Sequence, residues 1–151
     1  MIALIQRVKT AKAVVYGKIT GSINEGLVVL LGIKNKDDED EARFLAKKVV
    51  NMRIFNDREG KMNLSLIDIK GECLVVSQFT LHANERKGRR PSFINAAKPE
   101  LAEKLYNVFI KEISNNNIKV ASGVFGAMME VHLINNGPVT IIAKSKNEYG
   151  R

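Results

Sequence analysis

Glu72-Cys73-Leu74-Val75-Val76-Ser77-Gln78-Phe79-Thr80-Leu81 is the stretch on which the fold turns, a strand-length apolar run that leads straight into three side chains able to donate hydrogen bonds. A buried strand normally carries no such groups at its end, because each would need a partner there, so the polar close points to a site. With side chains alternating across a strand, Gln78 and Thr80 fall on one face and Ser77 and Phe79 on the other. The segment reads as the central strand, residues 72–81.

Upstream, residues 2–9, 13–16, 18–23 and 27–33 read as short strands divided by Gly17 and the Asn24-Glu25-Gly26 turn, an antiparallel meander. Asp37, Asp38, Glu39 and Asp40 then supply negative charge for a helix start. Ala42, Leu45, Ala46 and Val49 repeat on one face of that helix, with Lys47 and Lys48 toward its C-terminal end. An acidic run so placed serves the helix rather than a metal. Residues 53–55 resume a strand, and 56–60 form a turn. Downstream, residues 82–98 are polar and are expected to wrap over the surface. Pro99 opens a second helix whose Leu101, Ala102, Leu105, Phe109 and Ile113 face the core, and Asn115-Asn116-Asn117 ends it. Residues 119–122, 128–134 and 139–143 complete the strands, and 144–151 read as a frayed basic tail.

The 151 residues fit one domain, long enough to bury roughly 68–70% of the unfolded surface. Hydrophobic residues are 45% and charged residues 26% of the chain, a globular composition, and no run approaches the ~18 apolar residues of a membrane span. Residues 2–8 alternate like a strand and lack the marks of a secretory signal, so the protein is read as cytoplasmic. Cys73 is the single cysteine, and its apolar strand argues for a buried, inert thiol. His82 and His132 are too few and too far apart for a metal site; no metal or cofactor is implied. Lys plus Arg number 24 against 16 Asp plus Glu, a net charge of +8 that favours a polyanionic partner. Arg86, Lys87, Arg89 and Arg90 concentrate part of that excess close to the polar motif. They are read as contacts to RNA phosphate, a solvated loop being the alternative.

A second unusual element, Asn135-Asn136-Gly137-Pro138-Val139-Thr140, joins two apolar runs. It has the composition of a hairpin turn, and its X-Pro bond is a candidate for the cis form found in about 5–6% of such bonds. Together with Ser77-Gln78-Phe79-Thr80 it resembles the D-aminoacyl-tRNA deacylase family, also called D-tyrosyl-tRNA deacylase. The similarity runs from Met1-Ile2-Ala3-Leu4-Ile5-Gln6-Arg7-Val8 through Arg53-Ile54-Phe55 and Gly60-Lys61-Met62-Asn63-Leu64 to the last strand. The resulting expectation is one α+β domain spanning residues 1–151, a mainly antiparallel, barrel-like sheet covered by two helices, acting as a homodimer on aminoacyl-tRNA.

Cleaving an ester requires an attacking group and a means of holding the oxyanion, and backbone N–H groups at residues 77–80 suit the second task, with Gln78 adding an amide and Thr80 a hydroxyl. The resemblance implies a catalytic place for Ser77, Gln78, Phe79 and Thr80. No Ser-His-Asp order can be assembled around Thr80, and His82, two residues on, is not part of the family motif. The preferred route is RNA-assisted: the ribose hydroxyl beside the ester orients or activates water, and Thr80 positions. The resemblance further implies that Gly137-Pro138 is cis and enters the partner subunit's active site, where main-chain atoms exclude an L side chain; D residues of many sizes pass, and so does achiral glycine. Arg7 is expected to brace Gly137-Pro138, a plain surface arginine on its strand being the alternative, and Phe125 and Met129 to line a pocket for the terminal adenosine, ordinary core being theirs. A non-catalytic RNA-binding module and a general Ser/Thr esterase are the competing functions.

Overall fold

A computed structural model describes residues 1–86 and 88–149. At its centre β3 (Gly26–Gly32) and β6 (Glu72–Ser77) pair in parallel, Leu27 opposite Cys73 and Leu31 opposite Ser77. Both are apolar on both faces, as parallel strands covered on each side must be. Leu27, Val29, Leu31, Cys73 and Val75 pack toward the helices, whereas Val28, Leu74 and Val76 point into the other layer with Val8, Ala13 and Ile23. Parallel neighbours need long crossovers. The one from β3 to β6 holds α1 (Glu39–Asn51) and a small hairpin of β4 (Phe55–Asn56) and β5 (Met62–Leu64), and the one from β6 to β7 (Val120–Ser122) holds α2 (Pro99–Ser114).

The remaining pairings are antiparallel: β1 (Ile2–Val15) carries β2 (Lys18–Ile23), β3 and β8 (Glu130–Lys144). The sheet is therefore mainly antiparallel, as expected, with β6 the strand held in parallel on both edges. It curls until β2 lies against β7: a Cβ built on Gly21 would stand 2.5 Å from the Ser122 carbonyl oxygen, so only glycine permits that approach. The result is a nearly closed, barrel-like sheet with both helices on one side.

The helices form where expected. Asp38 caps α1, its Oδ1 accepting from the Glu41 N–H at 2.9 Å, and Ala42, Leu45, Ala46 and Val49 are buried. Pro99 opens α2, whose Leu105, Phe109 and Ile113 are buried. Among the described residues no helix is long and apolar enough to cross a membrane.

Four local expectations are corrected. Residues 2–9 and 13–16 are one strand, because β8 pairs along both halves of β1. Residues 130–134 and 139–143 likewise belong to one strand, with 128 and 129 preceding it, so Gly137-Pro138 is a bulge within β8 and no hairpin turn. The central strand ends at Ser77, since Phe79–His82 winds into a 3₁₀ turn. The tail is docked as far as Tyr149: Ser145 is fully buried, its hydroxyl accepting from the Met1 amine at 2.8 Å, and the Asn147 N–H donates to Glu41 Oε2 at 3.1 Å.

Candidate active site

The 3₁₀ turn sits on the end of the central pair. Gln78 N–H donates to the Leu31 carbonyl at 2.8 Å, the last rung of the parallel ladder, and its own carbonyl accepts from Leu81 N–H at 3.3 Å as the chain begins to wind. Because the strand stops there, the alternation expected across residues 77–80 breaks. Gln78 and Thr80 nevertheless come together, the Gln78 amide donating to the Thr80 hydroxyl. Thr80 and Phe79 are exposed, and among the described residues the N–H groups of Phe79 and Thr80 meet no backbone acceptor. The turn therefore carries two main-chain donors without a backbone acceptor beside a paired amide and hydroxyl, anchored on the end of the strand. His82 turns the other way. It is 6% exposed, beneath the turn, with Nε2 unpartnered. Burial holds its pKa below the ordinary 6.5, against the opposing influence of the Gly32 backbone, Glu148 and Asp37. A ring so placed is not aimed at the exposed Thr80 hydroxyl. Cys73, one strand-length earlier, is fully buried and its thiol is pushed up to about 12 by desolvation, the inert state expected.

The Gly137-Pro138 bond is cis, as expected. From Gln6↔Thr140 to Val8↔Asn135 the register advances two residues along β1 and five along β8, so β8 carries three residues more than β1 here and its residues 136–139, without partners on β1, stand out as a bulge opposite Arg7. That bulge is braced from both sides. Arg7, 7% exposed, donates from Nε to the Asn136 carbonyl at 2.8 Å and from Nη1 to the Ile54 carbonyl at 2.8 Å and Asn56 Oδ1 at 3.2 Å. The Asn135 side chain spans the base, accepting from Val139 N–H at 2.7 Å and donating to the Val139 carbonyl at 3.1 Å and the Thr140 hydroxyl at 3.0 Å. Gly137 has φ +146, and a Cβ there would meet Val139 Cγ2 at 2.8 Å and Arg7 Nη2 at 3.1 Å. The sequence reading missed Asn135 and Asn56, which looked like ordinary turn residues; the signal available was the doubled Asn before Gly-Pro.

Arg86, Arg89 and Arg90 are exposed on a loop fastened at its base, where Asn84 and Ser92 exchange backbone hydrogen bonds of 2.8 and 3.0 Å. Lys87 lies outside the described residues. The loop reaches the turn through Phe93, whose ring packs edge to face with Phe79, centroids 5.1 Å apart. Phe125 follows β7, half-buried against Tyr106 with centroids 5.8 Å apart, and Tyr106 in turn donates to the Val75 carbonyl at 2.8 Å near the end of β6. Met129 is half-buried on the inner layer. These residues gather at the Ser77 end of the sheet.

Gly137-Pro138 does not join them. The bulge stands opposite Arg7, which is level with Leu27 and Cys73, whereas the turn follows Ser77 four positions on, with β3 and β1 in between. That is roughly 13 Å along the strands and roughly 14 Å across them.

The model describing D-Tyr-tRNA(Tyr) deacylase matches residues 4–144. A D-aminoacyl-tRNA deacylase of Desulfatibacillum aliphaticivorans is 58% identical over 146 residues, covering 97% of this chain and 100% of that protein. One of Thermosipho africanus is 53% identical over 149 residues, covering 99% and 100%. Among solved structures, a c-Myc DNA unwinding element binding protein superposes with a TM-score of 0.90 at 40% identity, covering 96% of this chain and 99% of that one. With the family model spanning nearly the whole chain and relatives this similar along their full length, the chain belongs to the D-Tyr-tRNA(Tyr) deacylase family.

Proposed function

We propose that the protein hydrolyses the ester of D-aminoacyl-tRNA, releasing the D-amino acid and free tRNA, and so removes wrong-handed residues before translation uses them. The observation that carries this reading is the pairing of a turn whose Phe79 and Thr80 N–H groups have no backbone acceptor with a cis Gly137-Pro138 bulge held rigid by Arg7 and Asn135. A water oxygen bonds to the ester carbonyl carbon, the bond from that carbon to the ribose oxygen breaks, and the ribose oxygen takes up the proton. The Phe79 and Thr80 N–H groups hold the developing oxyanion. Gln78 fixes the Thr80 hydroxyl, which positions the substrate, while the neighbouring ribose hydroxyl orients the water. Ser77 ends the strand that supports them. Arg86, Lys87, Arg89 and Arg90 take the acceptor-stem phosphates, and Phe125 and Met129 flank the terminal adenosine.

Chirality is tested by exclusion. Gly137 and Pro138 offer no polar side chain with which to read a substrate, so they act as a wall, braced by Arg7, that an L side chain would strike. Glycine, lacking a side chain, passes. Since the bulge and the turn lie far apart within one chain, the reading requires a homodimer that seats each bulge beside the partner's turn, in the cytoplasm where charged tRNA is found. Deacylation of matched D- and L-aminoacyl-tRNA tests all of this. Release of the D residue alone is the expected result. Equal hydrolysis of both sinks the wall, binding without hydrolysis leaves an RNA-binding module, and covalent labelling of Ser77 or Thr80 by an ester inhibitor leaves a general esterase.

A further inference from the structure

Ester hydrolysis makes no use of the ring that separates Gln78 from Thr80. Phe79 is 55% exposed and Ile94, on the neighbouring loop, 77% exposed. Phe93 meets Phe79 edge to face, with their planes 75° apart. Apolar surface held in water is unfavourable, and a contiguous exposed patch of it marks a contact surface. This patch is also held still. Beyond the Asn84–Ser92 fastening, Asn35 donates from Nδ2 to the Ile94 carbonyl at 2.9 Å and Ala97 N–H to the Ile33 carbonyl at 2.9 Å, so the return leg of the loop is tied to the end of β3. A platform already rigid loses little entropy on binding.

We infer that Phe79, Phe93 and Ile94 form a stacking platform for an unpaired nucleobase of the RNA, next to the nucleotide that carries the ester; the inference rests on the function proposed above. Charge selects this occupant. Arg86, Arg89 and Arg90 are exposed on the same loop in a chain of net charge +8, and aromatic faces set beside arginines are the means by which proteins hold single-stranded RNA, stacking on the base while pairing with its phosphate. A protein partner of the same surface would have to bring acidic side chains to all three arginines. The platform gives the enzyme grip on the single-stranded end of the tRNA and leaves the ester chemistry to the turn.

The test compares D-aminoacyl-tRNA with a 3′-aminoacyl-adenosine that has no further nucleotide. Phe93→Ala raises KM for the tRNA about 10-fold, in the range that losing one stacked base gives, and leaves kcat and the short substrate unchanged. Ile94→Ser, at a position too exposed to disturb folding, raises it about threefold. A tRNA made abasic at the penultimate position shows the same loss with the unaltered protein, and no further loss with Phe93→Ala, because the two changes remove one and the same stacking interaction. Affinity for uncharged tRNA, measured alongside, falls by the same factors and reads the platform without catalysis, so a failure of the proposed activity stays separable from a failure here. Equal losses on both substrates, additive effects of the abasic site and Phe93→Ala, or unchanged affinity in both variants would overturn the platform.

Discussion

The bulge at Gly137-Pro138 and the turn at residues 77–80 both interrupt a strand, yet they spend their polar groups in opposite ways. In the bulge the Asn136 carbonyl and the N–H and carbonyl of Val139 are taken up by Arg7 and Asn135, which fix the backbone on either side of Gly137-Pro138. In the turn the Phe79 and Thr80 N–H groups meet no backbone acceptor among the described residues, and the side-chain fastenings are the Gln78–Thr80 pair and the packing of Phe79 on Phe93. On the proposed reading, the region that excludes is braced from within and the region that binds developing charge keeps its donors free. Exclusion depends on position, so the bulge should tolerate change far less than the turn.

The largest effect is therefore expected at Gly137. Gly137→Ala places a methyl group 2.8 Å from Val139 Cγ2 and 3.1 Å from Arg7 Nη2, at a φ of +146 that other residues rarely adopt. The bulge must move, and a displacement of about 1 Å costs on the order of 100-fold in rate. Single-turnover deacylation of D-aminoacyl-tRNA measures it, and activity and D/L ratio both unchanged would show that the bulge is not the wall. Arg7→Lys comes next. Lysine replaces a planar fork with a point charge and cannot serve the Asn136 and Ile54 carbonyls and Asn56 together. Stability should fall by about 1–3 kcal/mol, the cost of buried acceptors left unpaired, with D/L discrimination falling too. A stability loss with discrimination intact would separate Arg7 from the filter.

The turn should prove milder. Thr80→Ala removes the partner of the Gln78 amide and leaves the backbone N–H groups in place, so the loss should stay within about 10-fold, below the roughly 10²–10³ of a missing oxyanion donor. A substrate with hydrogen in place of the ribose hydroxyl beside the ester should lose far more. A dead Thr80→Ala protein acting fully on the deoxy substrate would establish side-chain nucleophilic catalysis instead. Replacing Arg86, Arg89 and Arg90 by Ala tests the ground around the turn: the slope of log affinity for tRNA against log salt should fall by about 0.7–0.9 for each phosphate that no longer has an arginine partner. Turnover at saturating tRNA should be unaffected, and an unaltered slope would make the loop a solvated one.

The sequence disclosed the elements whose pattern is local. The i, i+3, i+4, i+7 face of α1, the acidic cap at Asp38 and Pro99 at the start of α2 follow from neighbours a turn away, and Cys73 was legible as buried because its whole strand is apolar. What escaped depends on pairing between distant segments. Nothing local says that residues 9–12 continue β1 until β8 lies along them, or that residues 136–139 are a bulge until three extra positions emerge from the register. The end of β6 was misread because a polar motif can continue a strand or wind into a turn, and that choice is made by the Gln78–Leu31 rung. The candidate site residues were proposed through family resemblance, and the braces Asn135 and Asn56 were not, since they meet their partners only once the chain has folded.

The smallest effect concerns what lies beneath the turn. His82 is buried beside the Gly32 backbone, with Glu148 and Asp37 near it and the Met1 amine adding a like charge, and desolvation lowers its pKa from 6.5 in spite of those carboxylates. A base whose folded pKa is depressed binds fewer protons folded than unfolded, so its contribution is fully present above pH 6.5 and is lost as pH falls toward the folded pKa. The turn should thus weaken on mild acidification without any change in the donors it presents. Thermal unfolding followed across that window should show stability declining below pH 6.5, and His82→Gln, which cannot take up a proton, should flatten the decline. If the variant and the unaltered protein lose stability in parallel, the sensitivity belongs to the carboxylates of the docked tail and His82 is only a filler under the turn.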